Sequence, residues 1–298
     1  MRFKKDIRSL PFLVLLLACF FSVSGCNNNK SDQPNKQLQE QVKKLQEENG
    51  RLRLENEMLK TKLDNPVDQT TSSPTPSIAA SPASVEFEDI KGVGGEKEIT
   101  QLAKLGVFDT TSGKFNPKKP ITRAEFVRWL VRANNAIFAE FPDRMVRLPE
   151  TKKATFSDVP PTHRDFPYIQ AMADAGFVTG LDGKTFKPNE NLTREEMLAI
   201  KVALDRRNAI NNDTGSPPGG WTDSAQISKK YWPALYTESV AQGNTNVNRI
   251  FGQVKTFQPQ TPVTRAEAAL GASAIADSFG VFTTAEEVLQ KRAAQALP

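Results

Sequence analysis

One unit is written three times along this chain, and nothing else in the sequence limits the possible folds as much. Ile121-Thr122-Arg123-Ala124-Glu125 recurs as Leu192-Thr193-Arg194-Glu195-Glu196 and as Val263-Thr264-Arg265-Ala266-Glu267, with the threonines 71 residues apart both times. Phe115-Asn116-Pro117, Phe186-Lys187-Pro188 and Phe257-Gln258-Pro259 keep that spacing, and each unit opens on aromatic-x-Asp at Phe87-Glu88-Asp89, Phe156-Ser157-Asp158 and Trp221-Thr222-Asp223. Between the two marks runs a helical pattern such as Tyr168 to Ala175, stopped by Gly176, with Gly106 and Gly243 stopping its counterparts. A lone helix pair cannot bury its apolar face, so the three units must fold as one block. The expectation is an all-α domain of three helix-loop-helix repeats over 87–138, 155–207 and 220–277, with a last helix over 283–297 capped by Thr284 and Glu287.

The Thr-Arg-x-Glu motif explains most of itself as a helix start. Thr122, Thr193 and Thr264 sit where an N-cap accepts from the N3 amide, and Glu125, Glu196 and Glu267 sit at N3, where a carboxylate reaches back to the cap. Ile121 with Phe126, Leu192 with Met197 and Val263 with Ala268 add a hydrophobic staple. Neither device needs an arginine at N1, where a positive charge opposes the helix dipole. Arg123, Arg194 and Arg265 therefore require an anionic partner. Two remain open: an external carboxylate docking at the helix N-terminus, or an Asp or Glu of the same fold.

These motifs together resemble the S-layer homology (SLH) domain, most clearly over 156–204 with Asp182-Gly183-Lys184-Thr185-Phe186-Lys187-Pro188. The resemblance covers roughly 87–277 and implies three units in a pseudo-threefold bundle with ligands in the grooves between them. It implies a secondary cell-wall polysaccharide linked to peptidoglycan, acidic and often pyruvylated, contacted by Arg123, Arg194 and Arg265. The sequence departs from the family in places. The tryptophan common in SLH first helices is missing from the first unit, is replaced around Arg164-Asp165-Phe166 in the second, and stands as Tyr231-Trp232 in the third, which makes Trp232 the candidate for stacking on sugar. Glu195 replaces the usual alanine and would place a second carboxylate beside Arg194. Unit three has a longer loop, and surplus residues fall in connectors 139–154 and 208–219.

Ahead of the repeats, Arg2, Lys4, Lys5 and Arg8 precede an apolar run from Leu10 to Val23 and then Ser24-Gly25-Cys26. This reads as a signal peptide over 1–25 whose end resembles a lipoprotein cleavage site, making Cys26 the lipidated first residue of a short tether over 26–34. The other cysteine, Cys19, falls in the removed segment, so no intrachain disulfide is expected. The net charge of +5 shrinks with it: losing Arg2, Lys4, Lys5, Arg8 and Asp6 leaves 35 basic against 33 acidic residues, or +2, which implies no nucleic-acid partner. His163 is the one histidine, which leaves the mature chain no second His or Cys for a His/Cys metal site; its expected place is a helix start or the surface and not a catalytic role. A carboxylate-only glycan hydrolase would need two convergent carboxylates, whereas every acidic residue of the repeat motifs has a structural task.

Over 35–65 the apolar residues follow a seven-residue repeat, with Leu38, Leu45, Leu52 and Leu59 at d and Val42, Asn49, Asn56 and Leu63 at a. Asparagines at a, and Glu48 facing Arg53 or Glu55 facing Lys60 across the seam, favour a parallel homodimer through residues 38–63; a single solvated helix, an antiparallel coil and a trimer are the alternatives. A Pro/Ser/Thr-rich stretch over 66–86 reads as a disordered linker. The function this points to is non-catalytic: an anchor in the cell envelope, without cofactor or metal, tethering a membrane to the wall. By the resemblance to cyanobacterial SLH proteins, that membrane is the outer one, with the protein facing the periplasm. The rival is a scaffold whose coiled coil recruits an envelope protein, the SLH repeats only placing it.

Overall fold

The structure is a computed structural model that describes residues 85–150, 153–207, 217–241, 245–277 and 280–296. The expected signal peptide, Cys26, coiled coil and nearly all of the linker lie outside these residues, as do Gly243 and Leu297. The linker was expected to reach 86, yet Glu86–Phe87 (β1) already pairs in parallel with Ser112–Gly113 (β2).

Repeat one contributes α1 (Glu96–Lys104) and α2 (Arg123–Ile137), repeat two α3 (Phe166–Asp174) and α4 (Arg194–Arg206). Repeat three contributes α5 (Trp232–Val240), α6 (Asn246–Phe251) and α7 (Arg265–Ala272), and α8 (Ala285–Gln295) closes the described chain. Helix thus dominates the described residues, although the all-α expectation overlooks the two short strand pairs. The longer loop of repeat three is not open coil: Thr245 accepts from the Asn248 amide and starts α6 within it.

Each repeat is closed by the same clamp. Asp89 accepts from the amides of Phe115 and Asn116, both at 2.8 Å, Asp158 from Phe186 and Lys187 at 2.8 and 2.7 Å, and Asp223 from Phe257 and Gln258 at 2.8 and 2.7 Å. The middle residue of each Phe-x-Pro is held at positive φ, 58° at Asn116, 58° at Lys187 and 57° at Gln258. A residue with a Cβ pays for that conformation, and the charged double acceptor compensates. The opening aromatic packs on the loop phenylalanine, with ring centres 5.3 Å apart for Phe87 and Phe115, 5.5 Å for Phe156 and Phe186, and 5.0 Å for Trp221 and Phe257.

The repeats are joined in a closed cycle. The Ile121 amide donates to Val263 at 2.9 Å, Val263 to Leu192 at 2.8 Å, and Leu192 to Ile121 at 2.9 Å. Outside this ring the second helix of each repeat packs on the first helix of the next: α2 on α3, α4 on α5, α7 on α1. The staple residues Ile121, Phe126, Leu192, Met197, Val263 and Ala268 are fully buried at the centre.

Three features depart from a plain repeat. α7 is shorter than α2 and α4 because the chain turns at Ser273 into Ala274–Ala276 (β3), which pairs antiparallel with Phe282–Thr284 (β4). The expected connector beyond Phe138 is docked, not free. Asn134 donates to the Arg144 carbonyl at 3.0 Å, Asn135 brackets Val146 with bonds of 2.9 and 2.8 Å, and Pro142–Arg144 forms one 3-10 turn. Finally, α8 is capped by a full box, Thr284 N–H to Glu287 at 2.8 Å and Glu287 N–H to Thr284 at 3.2 Å.

Candidate functional site

The amides at the three repeated helix starts are already used. Arg123 and Ala124 N–H donate to the carbonyls of Glu190 and Pro188, Arg194 and Glu195 to Thr261 and Pro259, Arg265 and Ala266 to Lys119 and Pro117, all at 2.9–3.1 Å. The loop of the next repeat thus satisfies N1 and N2, which leaves no free amides there for an external anion. Capping bonds lie beside them. Thr264 and Glu267 form the complete box, Thr193 donates from its amide to Glu196 at 3.0 Å, and Thr122 accepts from the Glu125 amide at 3.2 Å. Glu125 does not complete a box with Thr122; its carboxylate is engaged elsewhere and also lies 3.8 Å from Arg128.

What engages it is an arginine of another repeat. Arg123 lies 3.3 Å from Glu196, Arg194 donates to Glu267 at 3.1 Å, and Arg265 pairs with Glu125. Each guanidinium also donates to the carbonyl of a loop phenylalanine: Arg123 to Phe186 at 2.9 Å, Arg194 to Phe257 at 3.1 Å, Arg265 to Phe115 at 2.7 Å. An aromatic face covers each as well, Phe186, Phe251 and the Phe115–Trp129 pair. Side-chain exposure is 3% for Arg123, 15% for Arg194 and 18% for Arg265. Of the two partners left open by the sequence, the structure supplies the internal one. The three arginines form a belt of inter-repeat ion pairs, with each capping glutamate the acceptor.

Glu195 corrects the sequence reading. It turns away from Arg194 and accepts from the Ser228 amide and hydroxyl at 2.9 and 2.7 Å and from Gln260 at 2.8 Å, fixing α4 to the start of repeat three. Trp232, the candidate for stacking on sugar, opens α5. It packs half-buried against the core and donates from its indole to the Ile227 carbonyl at 2.9 Å. His163 stands at a helix start, where its Nδ1 accepts from the Asp165 amide at 3.0 Å.

Space for a ligand lies between repeats two and three. A cleft of about 330 Å³ runs from the Arg123–Glu196 pair past Ala199 and Ala203 of α4 to Tyr231 and Lys230, with the loop Phe177–Gly180 as its other wall. Tyr231 was missed as a site residue in favour of its neighbour. Its ring faces the cleft, its hydroxyl is 3.5 Å from Glu196, and burial pushes its phenol well above the usual range. Lys230, exposed at the rim, stands 4.8 Å from the Tyr231 ring centre. The corresponding cleft between repeats one and two carries arginines where the second has alanines: Arg128 for Ala199 and Arg132 for Ala203. Arg128 pairs with Asp165 and Asp109, and Arg132 and Arg164 also pair with Asp109.

The S-layer homology domain family matches this chain at residues 86–127, 155–198 and 234–269. Among similar proteins are an amylopullulanase of Thermoanaerobacterium thermosulfurigenes, 30% identical over 61% of this chain and 9% of its own length, and the exoglucanase XynX of Acetivibrio thermocellus, 28% identical over 62% and 16%. A surface-layer 125 kDa protein of Lysinibacillus sphaericus is 27% identical over 62% of this chain and 14% of its own. The chain thus spans less than a fifth of each of these relatives. The part they share is a non-catalytic module that anchors proteins to the cell wall or surface layer. With three matches falling on the three cyclically joined repeats, this chain belongs to the proteins that carry S-layer homology domains.

Proposed function

We propose that the chain is a non-catalytic anchor whose SLH block binds an acidic, peptidoglycan-linked wall polysaccharide and tethers a membrane to the wall. The observation that carries this reading is the cleft between repeats two and three. It combines an aromatic ring at Tyr231, a rim cation at Lys230, and a floor made by the Arg123–Glu196 pair. Aromatic faces stack on the apolar face of a sugar, and a rim ammonium attracts a carboxylate such as a pyruvyl ketal. Arg123, already neutralised, orients the floor and carries little charge to the ligand. The membrane end of the tether rests on the sequence: lipidated Cys26, a parallel dimer through residues 38–63, and an outer membrane facing the periplasm. Two heads on one stalk would raise retention on a repeating glycan through effective concentration.

The test is retention of the full chain on purified sacculi, before and after chemical release of the bound polysaccharide. The expected outcome is retention on intact sacculi, lost on stripped ones, and reduced about tenfold by Tyr231→Ala. Equal retention on stripped sacculi overturns the reading.

A further inference from the structure

Resting on the glycan reading above, we infer that, among the described residues, the cleft between repeats two and three is the one open glycan site, and that Asp109 latches the equivalent cleft between repeats one and two shut. Asp109 receives three guanidinium groups, with Arg132 at 2.8 Å, Arg128 at 3.1 Å, and Arg164 completing the set. Arg132 and Arg128 have little left to offer an incoming carboxylate, and Arg164, whose side chain is 65% exposed, is already paired with Asp109. Arg132 also donates to the Tyr168 hydroxyl at 3.0 Å and the Val107 carbonyl at 3.2 Å, and Arg128, 4% exposed, is shared with Asp165. The Arg128 Nε, which is buried, has no partner.

The shape agrees with the charge. Phe108 and Asp109 line two separate spaces in this first cleft. One, of about 180 Å³, holds Glu125, Trp129 and Arg265; the other, about 580 Å³, is a shallow depression beside Arg132 and Tyr168. The latch therefore divides what remains continuous in the second cleft, where the equivalent loop carries Thr179 and Gly180 and no carboxylate. The junction between repeats three and one is packed against such a site. At the place of Tyr231 stands Gly95, so close to α7 that a Cβ there would lie 3.3 Å from Leu270. A carboxylate held in the same chain acts at high effective concentration, so a free acidic sugar does not displace Asp109 at ordinary concentrations.

Isothermal titration of the full chain with a short fragment of the wall glycan ending in a pyruvyl ketal tests this. Wild-type protein is expected to bind one fragment per chain, with affinity lowered about tenfold by Tyr231→Ala and unchanged by Tyr168→Ala, the tyrosine of the first cleft. Asp109→Asn, which keeps the shape and removes the charge, is expected to add a second, weaker site. Two or more sites in wild type, or sensitivity to Tyr168→Ala in place of Tyr231→Ala, overturns the cleft assignment and leaves the glycan reading standing. A single site in a folded Asp109→Asn chain overturns the latch, and should that variant misfold, Asp109→Ser carries the same two outcomes. No binding by wild type overturns the glycan reading together with this inference.

Discussion

A carboxylate that accepts two successive backbone amides fixes a loop more firmly than packing alone, and Asp158 does this for Phe186 and Lys187. Asp158→Ala strands two amides and lets Lys187 leave its positive φ, so the expected loss is about 2 kcal/mol, read as a lower urea midpoint with an unchanged slope. Asp182 does a similar task in the turn beside the open cleft. The amides of Lys184 and Thr185 hold its carboxyl down at about 2. Its folded pKa lies below the ordinary carboxylate value, so its contribution is complete above that value and disappears as pH falls through about 2. An NMR titration of the Asp182 carboxyl should show that midpoint, whereas an ordinary midpoint near 4 would mean the turn is not held this way. Lys201 is the most deeply buried cation described. It lies 2.5 Å from Asp205, which also accepts from Asn246 and from the Ala276 amide. Burial pushes the Lys201 ammonium down and the neighbouring Glu238 carboxyl up, evidence that this network is costly to form and costlier to break. Lys201→Met leaves Asp205 without its cation and is expected to destabilise by about 3–5 kcal/mol in thermal or urea unfolding.

Between elements, the belt of arginines and glutamates is the device that makes one repeat's helix start depend on its neighbour. Arg123 is almost fully buried and Glu196 nearly so, so an Arg123→Met, Glu196→Gln double-mutant cycle should show coupling of about 1–3 kcal/mol. The exposed pair Lys291–Glu140, with both side chains more than half accessible, should show coupling of about 0–1 kcal/mol. Equal coupling in the two pairs would remove the belt from any structural role. The belt also marks where sequence reading stops. Thr, Glu and the staple of each second helix lie within about one turn of each other, so their tasks were legible from spacing alone. The partner of Arg123 lies in the next repeat, and only the closed fold decides between it and an outside anion. Trp232 stands out because the other two repeats lack a tryptophan there, but the Ile227 carbonyl that takes its indole N–H is announced by no sequence pattern. Likewise no sequence pattern marks Ala274-Ile275-Ala276 as a strand. It becomes a strand because Ile275 is buried in the core and Ala285 N–H reaches Ser273 O at 2.8 Å.

Across the whole block, closure of the cycle has a consequence that a linear stack of repeats would not share. In a linear array the loss of one end repeat leaves the others intact, because each contacts only its neighbours. Here repeat three supplies the carbonyl for Ile121 N–H, the loop carbonyls for α4, the partner of Arg194, and the cation for Glu125. A chain ending at Arg207 would therefore strand polar groups in both remaining repeats, and it is expected to show no cooperative unfolding transition. In the full chain the units should melt together, and the tryptophans allow this to be observed separately: Trp129 is in repeat one, Trp221 and Trp232 in repeat three. Trp129→Phe leaves fluorescence reporting only on repeat three, and Trp221→Phe with Trp232→Phe leaves it reporting only on repeat one. Each variant should give one urea transition that coincides with its own far-UV circular dichroism. A repeat-one signal that survives after the circular dichroism of the rest has collapsed, or a folded chain ending at Arg207, would show that the cycle is not what holds the three repeats together.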